Sequence, residues 1–317
     1  VSKIKKIVIG SRGSILAVKQ SEIVIEKLKQ NFSEYEFELK IIKTSGDKNL
    51  NYSMQKNNIK NMFVKEIEEE LLQNKIDLAV HSMKDMPKIL PKGLTISSIP
   101  DREDTRDVLI SKNNIKFDDL PKNAIIGTSS IRRKIQLLSL RDDIIVKEIR
   151  GNIHTRIDKM LNGDYDAIVL AYAGVKRANL TDKITQIFSL DEMIPSPCQG
   201  AICIEAREDD EFINNILNKI NDVKISIGAK CEREFTNYLD GGCKVPVGAY
   251  SEINDDKIKL TGFYSTIDDY NIKKVDKESI KILTLEDKIE NYIELAKNLA
   301  ERIKFSTKKR GHRVTQR

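Results

Sequence analysis

At 317 residues the chain is too long for one ordinary hydrophobic core, so two or three domains are expected. Forty per cent hydrophobic and 32% charged residues describe a soluble globular protein, and no apolar run is long enough to cross a bilayer. The net charge of +6 would suit a nucleic-acid partner, but the last ten residues, KKRGHRVTQR, hold five Lys/Arg and no acid; without them 49 basic residues face 48 acidic ones.

The start, VSKIKKIVIGSRGS, has lysines and then only a short apolar run before Arg12, which is not the pattern of a secretory signal. Ile4–Ile9 reads as a strand and Ser14–Leu28 as a helix with apolar residues at helical spacing. Phe37–Lys43 is a second strand, Val64–Leu72 a helix and Asp77–Val80 a short buried strand. The asparagine-rich run Asp47–Asn61 reads as a surface loop, or more sharply as a lid. Past a charged link near Pro100–Thr105 the rhythm restarts. Strands are expected at Val108–Ile110, Ala124–Ile126, Ile144–Ile149 and Ala167–Ala171, with helices from Ile131 and over Thr155–Leu161. Strand–helix–strand repetition of this kind predicts two α/β units with parallel sheets and helices on both faces.

From about Asp222 the pattern changes. A helix over 226–239, strands at Val245–Ser251, Lys257–Tyr264 and Ser279–Leu283, and a final helix over Leu285–Ile303 make a small α+β unit. Four cysteines (Cys198, Cys203, Cys231, Cys243) form no CxxC pair and only three histidines are present, so neither a metal site nor a disulfide scaffold is expected, and the compartment reads as reducing cytosol. Cys243 differs from the others because it sits in Gly-Gly-Cys-Lys-Val-Pro-Val-Gly, a loop that leaves room around a thiol. His81 reads as a packed, hydrogen-bonded histidine ahead of a proton relay.

Basic residues recur where strands end. Arg12 and Ser14 follow the first strand, Lys84 and Asp85 the third, and Ser129, Arg132 and Arg133 the strand AIIG. Arg150, Gly151, Asn152 and Arg156 follow VKEI, and Lys176 and Arg177 follow IVLAYAG. Ligands of open α/β sheets lie at these ends, where hydroxyls and glycines cap helices and expose backbone N–H groups. Singly, each basic residue could be a solvated charge. Five such strand ends in a body without excess charge imply a polyanionic ligand, carboxylate or phosphate. Asp85, a lone carboxylate among cations, is expected to stay ionised and to stabilise a cation, or else to pair structurally with an Arg.

Seven long motifs in order, SRGSILAVKQ, AVHSMKDMP, GTSSIRRKIQL, EIRGNIHTRIDKM, DAIVLAYAGVKR, PCQGAICIEAR and EREFTNYLDGGCKVPVG, closely resemble the hydroxymethylbilane synthase (porphobilinogen deaminase) family from Ile7 to about Ile303. The resemblance implies a transferase of tetrapyrrole and haem biosynthesis. It would join four porphobilinogen units head to tail with loss of ammonia, on a dipyrromethane cofactor held by a thioether to Cys243, and release the linear tetrapyrrole by hydrolysis. Arg12, Ser14, Lys84, Ser129, Arg132, Arg133, Arg150, Gly151, Asn152, Arg156 and Arg177 would then bind cofactor and substrate, chiefly through the pyrrole carboxylates. Asp85 would be the catalytic carboxylate, Gln199 and Gly200 would touch the pyrroles, and Phe63 would stack near the site or serve the core.

The same resemblance implies two hinged α/β domains of the solute-binding-protein kind, over 1–100 with 200–220 and over 101–199. It adds an α+β cofactor-attachment domain over 221–305, with 306–317 left as a flexible basic tail. A cytoplasmic monomer with porphobilinogen as its partner, and neither membrane nor nucleic acid, completes the expectation. Many relatives carry a glycine-rich run where this chain has Asn58-Ile59-Lys60-Asn61, so the bends of that loop do not transfer. The rival reading is a cytosolic two-domain binder or sensor of polycarboxylates, which would need neither Asp85 nor the Cys243 loop.

Overall fold

A computed structural model describes residues 5–45, 64–239 and 246–311, with side chains to 306. Cys243, Phe63, the run 47–61 and the end of the basic tail lie outside the described residues. The chain divides into two compact units, residues 1–103 with 200–226, and residues 104–199 with 227–317.

In the first unit β1 (Lys6–Arg12) lies parallel to β2 (Glu36–Ile42) in register from Lys6↔Glu36 to Arg12↔Ile42, and parallel to β3 (Leu78–Ser82). The five-stranded order is β2-β1-β3-β10-β4, with β4 at Leu94–Arg102 and β10 at Ala201–Arg207. Because β10 runs antiparallel to both its neighbours, the expected all-parallel sheet is corrected to a mixed one. Apolar periodicity reports which residues are buried and is blind to strand direction.

Helix α1 (Ile15–Asn31) starts where Ser14 caps it, the hydroxyl accepting from the Ala17 N–H at 3.3 Å. Its Val24 and Leu28 join Ile7, Ile9, Val80, Ile202 and Ile204 in a core closed on the same side by Ile213 and Leu217 of a later helix, Glu211–Ile220. On the other face α2 (Lys65–Leu72) buries Ile67 and Leu71 against Ile42, Ile76 and Ala79. Each such side chain contributes roughly 1.5–3 kcal/mol on burial.

The second unit repeats the pattern. Its five strands are ordered β7-β6-β8-β5-β9, with β5 at Asp107–Ser111, β6 at Ile125–Gly127, β7 at Ile145–Lys147, β8 at Ala167–Ala171 and β9 at Gln186–Ile187. Again the fourth strand, β5, is antiparallel to its neighbours. Helices α3 (Ile131–Leu140) and α4 (Ile153–Leu161) are capped by Ser130 and Asn152, and α5 (Tyr172–Arg177) follows β8 directly.

The C-terminal part adds an antiparallel sheet, β11 (Val247–Asn254), β12 (Lys257–Ser265) and β13 (Ile280–Lys288), covered by the helices Val223–Tyr238 and Tyr292–Gly311. Gly262 lets Phe235 approach: a β-carbon there would lie 2.4 Å from the ring. The helix expected from Leu285 begins only at Tyr292, because Leu285–Lys288 pair in register with Leu260–Lys257 and extend the strand instead. This sheet seats on α3 and the segment after β9 through Ile135, Ile194, Tyr250 and Phe263, and Ala249 N–H donates to the Pro195 carbonyl at 3.0 Å.

Candidate active site

In the first unit two strand ends carry the candidate residues. Arg12, half-buried, closes β1, and Ser14 follows it. The cap uses a lone pair of the Ser14 oxygen and leaves its proton for a ligand. After β3 comes a single tight turn, Met83–Asp85. Met83 and Met86 sink into the core at 2% exposure each, which turns Lys84 and Asp85 outward. Asp85 is exposed and has no hydrogen-bond or ion-pair partner among the described residues. Behind the turn, the buried Gln20 of α1 donates its amide to the Ser82 hydroxyl at 2.8 Å, a brace the sequence reading missed. His81 lies beneath, its Nε2 3.1 Å from a carboxylate oxygen of the fully buried Glu205.

In the second unit the centre is an acid that sequence reasoning also passed over. Asp107 opens β5 and is fully buried. One oxygen accepts from Arg132 Nη2 at 2.8 Å. The other accepts from Arg133 Nε at 3.1 Å and Nη2 at 2.7 Å, and from the Gln199 amide at 2.8 Å. Burial alone would raise its pKa, but Arg132 and Arg133 with these hydrogen bonds outweigh that and hold it far below the usual carboxylate range. Arg132 also donates to the Ile194 carbonyl and Arg133 to that of Val169. Arg132, Arg133 and Gln199, expected to face a ligand, thus have an internal partner, and all three are at most 7% exposed. The available signal was Asp107 itself, an acid opening an apolar strand.

Around this node the remaining candidates differ. Ser129 donates its hydroxyl to the Ile149 carbonyl at 2.5 Å, so its proton is committed within the turn. Arg150 is exposed and pairs loosely with Glu148 at 3.3 Å, a contact worth little in water. Gly151 has φ +120°, and a β-carbon would meet Thr155 at 2.7 Å, so glycine is required. Asn152 caps α4 by accepting from the Thr155 N–H at 2.9 Å. Arg177 ends α5, half-buried.

Arg156 is the exception. Its Nε donates to the Gly151 carbonyl at 2.7 Å, and no carboxylate pairs with it among the described residues. Burial, and then the nearby Arg133, pushes its pKa down to about 10. A half-buried guanidinium without an acid favours an added anion, and its planar fork suits a carboxylate.

Comparison with known proteins decides the family. The sequence pattern described as "Porphobilinogen deaminase, dipyromethane cofactor binding domain" matches residues 7–215, and that of the "Porphobilinogen deaminase, C-terminal domain" matches 227–304. The chain belongs to the porphobilinogen deaminase family. The porphobilinogen deaminase of Fusobacterium nucleatum is 50% identical over 82% of this chain and 88% of its own length. That of Clostridium novyi is 46% identical over 93% and 97%. The VFT2 domain of Bordetella pertussis BvgS, a solved structure, aligns at 15% identity over 68% of this chain and 85% of that one, with a TM-score of 0.40, too low to argue from.

As a member of the porphobilinogen deaminase family the chain is a transferase of tetrapyrrole biosynthesis that carries a dipyrromethane cofactor and acts on porphobilinogen. The residues fit such a group, since its pyrrole carboxylates are anions and Arg156 has no carboxylate partner among the described residues. The three described thiols do not compete as attachment points: Cys198, Cys203 and Cys231 are buried, and burial first of all raises the Cys231 pKa well above an ordinary thiol. Cys198 adopts φ +60° while its N–H donates to the buried Glu232 at 2.7 Å, which fixes the turn into Gln199 and Gly200. No group of three or more His, Cys, Asp or Glu is placed to hold a metal ion, and no helix is long and apolar enough to cross a membrane, among the described residues.

Proposed function

We propose that in the family's reaction Asp85 is the catalytic carboxylate, and that the strand-end residues of each unit hold the pyrrole acids. Arg12, Ser14 and Lys84 serve in the first unit. In the second, Arg150, Arg156 and Arg177 serve together with the backbone of the Ser129 and Gly151–Asn152 turns. The internal bonds of Arg132 and Arg133 use two and three of their five N–H donors, leaving both able to add a bond to an incoming carboxylate. The half-buried Arg156, with no acid paired to it among the described residues, is the observation that carries this reading.

Cys243, in its Gly-Gly-Cys loop, is the attachment thiol; a thiolate is a soft nucleophile suited to a lasting carbon–sulfur bond. When bound, the dipyrromethane supplies the terminal pyrrole carbon to which substrate is joined. Asp85, exposed and without an internal partner, handles the proton as the substrate amine leaves and offsets the positive charge that develops. Gln199 and Gly200 set the crossover beneath the pyrroles. We further read the chain as a cytoplasmic monomer that needs no nucleic acid; light scattering that returned a stable dimer would remove the first part.

Intact mass under denaturing conditions tests the attachment. The purified chain should weigh more than its sequence by one dipyrromethane, and Cys243→Ala should remove the excess. A bare polypeptide mass in active preparations would overturn the assignment. Asp85→Asn should keep the added mass and lose turnover; unchanged turnover would take Asp85 out of the reaction.

A further inference from the structure

The connection between β12 and β13, residues 266–279, reaches the strand-end turn that follows β6. Ile272 and Val275 pack on the core around Phe117 and Leu137, which fixes the connection to the α/β part of the second unit. Between β12 and that anchor, the Tyr270 hydroxyl donates to the Thr128 carbonyl. Its own carbonyl accepts from the ammonium of Lys134 at 2.7 Å, and that ammonium stands 4.4 Å from the centre of the Tyr270 ring. Lys134 is 6% exposed, lies on α3 beside Arg132 and Arg133, and donates also to the Val146 carbonyl at 3.2 Å. Burial lowers its pKa, with Asp269 and Glu148 acting against that.

Thr128 is the pivot of the turn. Its N–H donates to the Lys147 carbonyl at 3.0 Å, and its hydroxyl accepts from the Ser130 N–H at 3.2 Å. Ser129 is tied to Ile149 and Ser130 caps α3. Those anchors come from the turn itself or from the next strand and its end. Tyr270 is the distant one, 142 residues along the chain.

We propose that Tyr270 is a positioning residue of the carboxylate site: its hydroxyl fixes the Thr128 carbonyl, and with it the Thr128–Ser130 turn and the start of the helix bearing Arg132 and Arg133. The C-terminal sheet thereby orders a site loop that its own strands do not form. The inference rests on the reading that these residues hold pyrrole carboxylates.

Two variants of the holoenzyme separate positioning from packing. Tyr270→Phe keeps the ring over Lys134 and removes the donor; Tyr270→Gln keeps a donor and removes the ring. If the donor positions the site, Tyr270→Phe raises KM for porphobilinogen about three- to tenfold with kcat within about twofold, the range one hydrogen bond supplies. Tyr270→Gln then stays nearer the parent in KM while its melting temperature falls further. The reverse pattern, a normal KM in Tyr270→Phe and a raised one in Tyr270→Gln, makes the residue a packing element and overturns the proposal, as does a normal KM in both. If only Tyr270→Phe folds, its KM alone decides in the same sense. Arg156→Ala guards the underlying reading. An unchanged KM there sinks the carboxylate site itself, whereas a raised KM there beside a normal one in Tyr270→Phe sinks only the role of Tyr270.

Discussion

The two five-stranded sheets share one strand pattern, and each places a buried acid on its fourth, antiparallel strand, yet the two acids meet opposite surroundings. Asp107 on β5 is met by two guanidinium groups and a carboxamide. Glu205 on β10 is met by His81 on one side and has a second buried acid, Glu68, close enough for the Glu205 charge to raise the Glu68 pKa. Burial first, then Glu205 and Glu69, pushes the Glu68 pKa up to about 7. One architecture therefore supports, on the fourth strand of the second unit, an acid fixed in its ionised form and, on a helix of the first unit close to the fourth-strand Glu205, an acid that changes charge near neutrality. The sheet does not decide which; the side chains aimed at the fourth strand do.

The sharpest way to break this contrast is Asp107→Asn. It leaves two buried guanidinium groups short of their acid, and loss of one partner of such a cluster costs about 3–5 kcal/mol. Urea unfolding should show that loss; a change below about 1 kcal/mol would mean the node is not the second unit's keystone. In the first unit the expected sign is the opposite. An acid whose folded pKa lies above its ordinary 4.5 keeps a proton that the unfolded chain has already released, so stability falls as pH climbs from about 4.5 to about 7 and is flat beyond. Glu68→Gln should thus stabilise by on the order of 1–3 kcal/mol at pH 8 and by nothing at pH 4. Equal effects at both pH values would remove titration as the cause. Asp107 carries the converse dependence, its stabilisation lost only as pH drops below the ordinary aspartate value of 3.8. The smallest effects are at the helix caps, where the units should not differ. Ser14→Ala and Asn152→Ala should each cost about 1 kcal/mol in thermal or denaturant unfolding, and a large inequality between them would mean one cap does more than start its helix.

Much of the first 200 residues was legible because strand and helix periods are local. Ser14 before an apolar-periodic run, or Asn152 before Ile153, announces a helix with no knowledge of what it packs on. The strand Leu94–Arg102 and the helix Glu211–Ile220 were not read, the first because its sequence, LTISSIPDR, contains a proline and little apolar alternation. Strand direction was out of reach, since β5 and β10 have the buried apolar runs that parallel strands also show. Among the candidate site residues, residue type and position singled out Asp85, which is exposed, and Arg156, which pairs with no carboxylate among the described residues. The internal partner of Arg132, Arg133 and Gln199 was out of reach, because Asp107 is set by a sheet that brings residues 107, 132 and 199 together. Cys243 and Phe63 rest on the sequence alone.

The strand order has a consequence for synthesis on the ribosome. When residue 199 has been added, every strand of the second sheet exists, but the first still lacks Ala201–Arg207, the strand that separates β3 from β4. Of the two five-stranded sheets, the one begun first is therefore completed last. Until its missing member emerges, a nascent polypeptide holds two unpaired edges that invite association with other chains.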